Sequence, residues 1–251
     1  MQYAVCKVPA APSRFTTDHR SEMMSQLLFG ECVLIHRMED DGWWFVEGMF
    51  DGYKGYCKSN QFYLVAEPLL PSADFAGSWI NEIIWNDQKI MIPFGCSLSL
   101  LKASWPGQQI QYDGIFYEHP SNRTISFSVE RISRFFLNTA YLWGGKSIFG
   151  IDCSGFVQSV YRMLAYTLPR DANQQVEKGE VVGFLQEAVC GDLAFFDEKG
   201  EITHVGILLN DHTIIHASGN VRIDAIDHDG IVHSETGKRT HRLRIIKRII
   251  F

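Results

Sequence analysis

The chain has 251 residues, 46% of them hydrophobic, an ordinary composition for a globular protein with room for two or three small domains. A formal net charge of −6, without any block of Lys or Arg, excludes the electrostatic footprint of a nucleic-acid binder and a basic membrane-surface patch. The longest apolar runs, such as Ile207-Leu-Leu209 and Ile249-Ile-Phe251, are far too short to span a bilayer.

The opening Met1-Gln-Tyr-Ala-Val-Cys-Lys-Val-Pro9 reads as a strand and lacks the basic and long apolar stretches of a signal peptide. The expected compartment is the cytoplasm, or the periplasm or exterior if the chain is a mature form trimmed of its leader. Short strand-like runs with turns between them follow. Cys32-Val-Leu-Ile-His36 is one, the turn Glu39-Asp-Asp-Gly42 leads into Trp43-Trp-Phe-Val-Glu47, and Phe50-Asp-Gly52 leads into Tyr53-Lys-Gly-Tyr-Cys57. Strands at this spacing predict a small barrel over residues 1–67. Residues 68–129 repeat the idea less clearly, with Trp79-Ile-Asn-Glu82, Pro93-Phe-Gly-Cys-Ser-Leu98 and Asp113-Gly-Ile-Phe-Tyr117, and read as a second, divergent barrel. The stretch Glu67-Pro-Leu-Leu-Pro-Ser72 is the expected linker. A third domain, 130–251, begins with an amphipathic helix candidate over 131–142.

That third domain carries the chemistry. Tyr141-Leu-Trp-Gly-Gly145 is followed by Gly150-Ile-Asp-Cys-Ser-Gly155, and then by an apolar segment with Phe156, Val157, Val160 and Leu164 at helical spacing. Cys153 is therefore expected at or near the first turn of a helix, where unpaired N–H groups favour a thiolate. Downstream, His204 opens His-Val-Gly-Ile-Leu-Leu209 and His216 lies in Thr213-Ile-Ile-His-Ala217. Both runs read as strands, and Asn210-Asp-His212 reads as the hairpin turn between them. Pairing would set one imidazole beside the other, one as the base that takes the thiol proton and one as its orienting partner. Alone, each histidine reads more readily as a structural or surface residue than as a catalytic one. With Cys153 about 50 residues upstream, the order Cys, His, polar residue is a nucleophile signature. The other five cysteines, Cys6, Cys32, Cys57, Cys96 and Cys190, form no CxxC pair and read as small buried hydrophobes. No zinc spacing occurs, and no metal or cofactor is expected.

Six linked segments resemble the papain-like NlpC/P60 family of cell-wall cysteine peptidases, covering about residue 133 to 250. They are Tyr141-Leu-Trp-Gly-Gly, Gly150-Ile-Asp-Cys-Ser-Gly-Phe, Leu168-Pro-Arg-Asp-Ala, Gly191-Asp-Leu-Ala-Phe-Phe, His204-Val-Gly-Ile and Ile215-His-Ala-Ser-Gly. The resemblance implies an α+β papain-like catalytic domain with Cys153 as nucleophile, His204 as general base and acid, and His216 as orienting residue. It implies an oxyanion donor in the Tyr141 hydroxyl beside the Cys153 backbone N–H. The segments Phe29-Gly-Glu31, Asp41-Gly-Trp-Trp44 and Gly52-Tyr-Lys-Gly-Tyr56 resemble a bacterial SH3-type domain.

This layout resembles the subgroup of γ-D-glutamyl-L-diamino acid peptidases. What it implies is cleavage of a murein peptide with a free amino-terminal L-Ala, releasing L-Ala-D-Glu. Asp171 and Glu31 match the acidic residues that grip the free amine, and Tyr53, rather than Tyr56, the accompanying aromatic hydroxyl, since Tyr56 before Cys57 looks like core. From the residues alone, Asp171 reads also as a helix cap and Glu31 as a solvated turn residue. Asp152 and Ser154 are implied to line the site, Asp152 alternatively as an N-cap, and Trp143 reads as a cleft wall or a buried aromatic. Arg170 is open between an acidic neighbour and a substrate carboxylate. The alternatives are a non-catalytic wall-binding module, against which the intact Cys153, His204 and His216 set argues, and a papain-like acyltransferase or thioesterase. A Cys-dependent phosphatase needs an Arg six residues after the Cys, where this chain has Ser159.

Overall fold

A computed structural model describes residues 1–69, 74–103, 105, 107–118 and 125–250, so the linker expected at 67–72 lies partly outside the described residues. The chain divides into two compact units: Met1–His119 with Trp143–Phe149, and Pro120–Leu142 with Gly150–Phe251. The class is α+β. No helix among the described residues is long and apolar enough to cross a membrane.

In the first unit seven strands form one antiparallel sheet: β1 (Gln2–Cys6), β2 (Ala10–Arg14), β3 (Met23–Leu28), β4 (Cys32–Met38), β5 (Trp43–Gly48), β6 (Lys54–Lys58) and β7 (Phe62–Val65), in the order β3-β2-β6-β5-β4-β1-β7. The predicted turns are where the sequence put them. Gly42 joins β4 to β5 with φ +76, a left-handed conformation that glycine adopts without a Cβ clash, and its N–H donates to the Glu39 carbonyl at 3.1 Å. Alternation along β1 sends Ala4 and Cys6 into one core with Val33, Trp44, Val46 and Cys57. Val5 points the other way, into a core with Phe29, Ile83, Trp85, Ile92 and Cys96. That second core includes β8 (Ile80–Trp85) and β9 (Gln88–Pro93), a hairpin turned by Asn86 and Asp87 at φ 50 and 64. With β10 (Ile110–Gln111) they form a three-stranded sheet. A short strand, β11 (Lys146–Ser147), also belongs to this unit.

The second unit opens with α1 (Ile125–Phe135). The helix expected over 131–142 is therefore displaced toward the amino terminus. Asn138 takes φ 68, which no α-helix tolerates, and Tyr141 instead bridges Ile151 in parallel. Next come β12 (Gly150–Ile151), α2 (Cys153–Arg162) and α3 (Ala172–Gln175). Phe156, Val157, Val160 and Tyr161 are fully buried along α2, and each such burial contributes roughly 1.5–3 kcal/mol. A seven-stranded antiparallel sheet follows, made of β13 (Glu180–Val182), β14 (Leu193–Glu198), β15 (Glu201–Leu208), β16 (Thr213–Ser218), β17 (Asn220–Asp227), β18 (Gly230–Val232) and β19 (Arg239–Arg248). Its order is β13-β19-β14-β15-β16-β17-β18, and β19 also pairs with β18, so six strands close into a barrel. One face of these strands gathers Ala194, Phe196, Leu208, Ile214, Ile226 and Ile246 into an apolar cluster.

Candidate active site

Cys153 is the first residue of α2, as the apolar spacing predicted. Asp152 precedes it in extended conformation and accepts from the Gly155 N–H at 2.7 Å, so the N-cap reading of Asp152 is the one present. Arg170, 1% exposed, binds the same carboxylate with both ends of its guanidinium: Nη1 donates to Oδ1 at 3.0 Å and Nη2 to Oδ2 at 2.5 Å. The Arg170 Nη1 also donates to the Ser154 hydroxyl at 2.9 Å, and that hydroxyl donates to Asp152 Oδ1 at 3.2 Å. Arg170, left open by the sequence, is thus the buried partner of the acid that caps the nucleophile's helix. Both Asp152 and Ser154 are buried in this network.

The thiol is not activated in isolation. Burial pushes the Cys153 thiol up to about 11, the Asp152 carboxylate adds to the rise, and backbone N–H groups and Arg170 offset it only in part. Desolvation and a neighbouring anion therefore oppose the thiolate that the helix start favours. Tyr141, half-buried, is likewise pushed up by burial and then by the charges of Cys153 and Asp152, so its hydroxyl stays a proton donor.

The histidines come from β15 and β16. Gly206 stands opposite His216 in the ladder, so His204 is the diagonal neighbour of His216 on the same face. His204 Nε2 and His216 Nδ1 are 2.8 Å apart, so the ring nitrogen of His204 outside this contact is Nδ1. The backbone at Val205, the residue after His204, acts on the Cys153 thiol and favours its charged form. Gly206 is required between them. A Cβ there would sit 2.8 Å from the His216 Cβ and 2.7 Å from the Ile214 Cδ1. Burial pulls His204 well below the ordinary imidazole range, and the neighbouring His216 and His241 pull it further. His216 is lowered by burial too, partly offset by Asp224. Burial thus disfavours charge on the thiol and on both imidazoles.

Two residues of this cluster were not read from the sequence. Asp224, buried on β17, faces the other nitrogen of His216, with Nε2 to Oδ2 at 3.0 Å. His241 on β19 stacks on the His204 ring, with centroids 4.1 Å apart and planes 24° apart. The available signal for Asp224 was strand alternation past the Ser218-Gly219 turn, where Arg222 pairs with His216 and Asp224 follows on the same face. Nothing local marks His241, which arrives from the last strand. Among the described residues no group of three or more His, Cys, Asp or Glu is arranged to hold a metal ion.

The remaining predicted residues divide between the units. Asp171 occupies the N-cap position of α3 in the second unit, half-buried, but its side chain makes no capping bond. Glu31, Tyr53 and Trp143 belong to the first unit. Glu31 is buried, 4% exposed, which corrects the solvated-turn reading: its Oε2 accepts from the Leu28 N–H at 3.2 Å and lies 3.8 Å from the buried Lys146 ammonium. Asp51 Oδ2 is also 3.8 Å from that ammonium, and the Tyr53 N–H donates to Asp51 Oδ1 at 3.0 Å. Tyr56 is not core. It is half-buried and its hydroxyl accepts from Arg37 Nη2 at 2.7 Å, because alternation on β6 sends Gly55 and Cys57 inward instead. Trp143 is 58% exposed, and its indole N–H donates to Glu22 at 2.7 Å, so the buried-aromatic reading is set aside. Cys6, Cys32, Cys57 and Cys96 are buried, Cys190 is half-buried, and all are free thiols.

Residues 138–240 match the NlpC/P60 family and residues 16–62 the bacterial dipeptidyl-peptidase SH3 domain. The chain carries an NlpC/P60 domain. Tyr141, Cys153, His204, His216 and Asp224 lie inside the NlpC/P60 match, and Glu31 and Tyr53 inside the SH3 match. A γ-D-glutamyl-L-lysine dipeptidyl-peptidase of Bacillus subtilis is 44% identical over 86 residues, 33% of this chain and 29% of that protein. The chain thus matches less than a third of that relative's length. A dipeptidyl-peptidase 6 of Lysinibacillus sphaericus is 26% identical over 84% of this chain and 86% of its own. The fold is similar to that of an NlpC/P60 family protein from Bacillus cereus, with a TM-score of 0.77 at 20% identity, covering 98% of this chain and 99% of that one.

Proposed function

We propose that this chain is a cysteine peptidase that hydrolyses the γ-D-glutamyl–L-diamino acid bond of murein peptides bearing a free amino-terminal L-Ala, and releases L-Ala-D-Glu. The observation that carries the chemistry is the 2.8 Å contact of His204 with His216, with the Cys153 thiol at the first turn of α2 against the backbone of Val205. The relatives named for γ-D-glutamyl-L-lysine and dipeptidyl-peptidase activity supply the substrate class. In this reading residues 1–67 and 68–129 are accessory modules to a catalytic module at 130–251.

The reaction starts from the neutral thiol and imidazole that burial favours. His204 takes the thiol proton as the Cys153 sulfur attacks the γ-glutamyl carbonyl. The Tyr141 hydroxyl and the Cys153 backbone N–H hold the oxyanion, which is where preorganised donors contribute most. The His204 imidazolium gives its proton to the leaving amine of the diamino acid. Water, deprotonated by His204, then hydrolyses the thioester and restores the thiol. An ammonium leaving bulk water needs anionic partners, and Glu31 and Asp171 are the acidic residues that the resemblance assigns to it.

The test incubates purified protein with L-Ala-γ-D-Glu-diaminopimelate and its N-acetylated form, with Cys153→Ala as control, and reads products by mass spectrometry. Cleavage of the free peptide alone, lost in the variant, is the expected result. Equal cleavage of both peptides overturns the free-amine requirement, and no cleavage of either overturns the substrate class.

A further inference from the structure

The carboxylate of Asp224 lies beyond the two histidines and has no part in the steps above. We propose that Asp224 is a positioning residue that fixes the tautomers of both imidazoles, so that His204 presents a bare Nδ1 to the Cys153 thiol. The proposal rests on the reading of Cys153 and His204 as nucleophile and base.

Donors from three residues converge on this carboxylate. His216 Nε2 lies 3.0 Å from Oδ2, Arg222 Nε donates to Oδ2 at 2.9 Å, and the Ser234 N–H donates to Oδ1 at 2.9 Å. Burial pushes this carboxyl up, but the bonds from His216, Ser234 and Arg222 outweigh it and hold the group ionised, far below the usual carboxylate range. An ionised carboxylate only accepts. His216 Nε2 therefore carries its proton and donates. In a neutral ring the other nitrogen is then the acceptor, so His216 Nδ1 accepts. Across the 2.8 Å contact His204 Nε2 must donate, which leaves His204 Nδ1 unprotonated. The state of the base is thus dictated two residues away, by a charge that never meets the substrate. The same charge steadies the cation that His204 becomes once it has taken the thiol proton.

Replacing the acid by its amide breaks this logic with little change of shape. In Asp224→Asn the single amide oxygen must serve either the Ser234 N–H or His216 Nε2 and Arg222 Nε together; where it stays with Ser234, the amide NH2 faces His216 Nε2. That nitrogen then accepts, His216 Nδ1 donates, and His204 carries its proton on Nδ1, where it blocks the thiol transfer. Asp224→Glu keeps an acceptor-only group.

The experiment records 15N imidazole spectra of the full chain, wild type, Asp224→Asn and Asp224→Glu, in the neutral pH range, together with kcat and KM on the free peptide and the rate of Cys153 alkylation by iodoacetamide. The expected wild-type spectrum has both histidines protonated at Nε2. Asp224→Asn is expected to bring in the reversed tautomers and to lower kcat, by up to the roughly 10⁴-fold lost when a triad acid becomes an amide, while KM changes by less than about threefold. Asp224→Glu is expected to recover the wild-type tautomers and part of kcat. A wild-type spectrum with His204 protonated at Nδ1 overturns the proposal, as does Asp224→Asn with unchanged tautomers and kcat. If Asp224→Asn does not fold, the wild-type spectrum still decides. Spectra and alkylation need no substrate, so failure of the peptide assay alone strikes the substrate class and leaves this proposal standing.

Discussion

Arg170→Met tests the network that seats the nucleophile. The guanidinium is 1% exposed and makes three hydrogen bonds to Asp152 and Ser154. Methionine retains much of the apolar stem but leaves the Asp152 charge buried beside the first turn of α2. Removing one member of a buried ion pair costs about 3–5 kcal/mol. Asp152→Asn is expected to cost about as much from the other side, since it strands the guanidinium while keeping an acceptor for the Gly155 N–H. The double variant has no stranded charge, so its loss should fall short of the sum by about 2 kcal/mol or more. The choice of probe matters, because all six tryptophans (43, 44, 79, 85, 105 and 143) belong to the first unit and none lies on α2. Hydrogen exchange of the α2 amides in a urea series reports on that helix directly. The thiol gives a second reading with opposite signs. Loss of the Asp152 charge should lower the Cys153 titration below about 11, and loss of Arg170 should raise it, as followed by alkylation mapped to Cys153. A coupling below about 0.5 kcal/mol, within the range of independent sites, or shifts of the same sign in both variants, would refute the reasoning.

Stability should fall with acid. His204, His216 and His241 all bind protons less readily folded than unfolded, His241 being lowered to about 4, first by burial and then by His216 and Arg222. The unfolded chain takes up protons below its ordinary imidazole value of about 6.5, so the stabilising contribution present above that pH is lost as pH falls from there toward 4. His241→Phe keeps a ring on His204 and removes one titration, so its acid-side loss of stability in thermal melts should be shallower than wild type; an equal or steeper slope would contradict this. Gly206→Ala should reduce kcat and cost about 1–3 kcal/mol, because the added methyl meets His216 and Ile214 below van der Waals distance, and unchanged kinetics would show that His216 has room to move.

The sequence by itself determined the local frame of the site. Cys153 heads its helix because Phe156, Val157, Val160 and Leu164 repeat with helical period behind a capping acid and a Gly-containing turn. The two histidine strands and their turn follow from alternating apolar residues broken at Asn210, and pairing alone brings His204 to His216. The first-unit strands were legible through the same period and its turn residues. Periodicity is less informative where a segment is short or unusual, and so α1 was displaced: the 131–142 text is amphipathic, but Asn138 turns left-handed and Tyr141 pairs as a strand.

Tertiary structure decided the electrostatics. Glu31 reads as a turn residue, yet lies buried near Lys146, about 115 positions along the chain in a text where no local pattern links the two. Whether Cys153 rests as thiol or thiolate turned on the depth of its burial and the orientation of Asp152 and Arg170. Asp224 and His241 joined the site only when the barrel closed, one across the β16–β17 ladder and the other from the final strand. Helical and strand periods are fixed by backbone geometry within a few residues, so sequence carries them. A charge or a proton position depends on which distant groups are brought within a few ångströms and how much water remains between them, and only the folded chain specifies that.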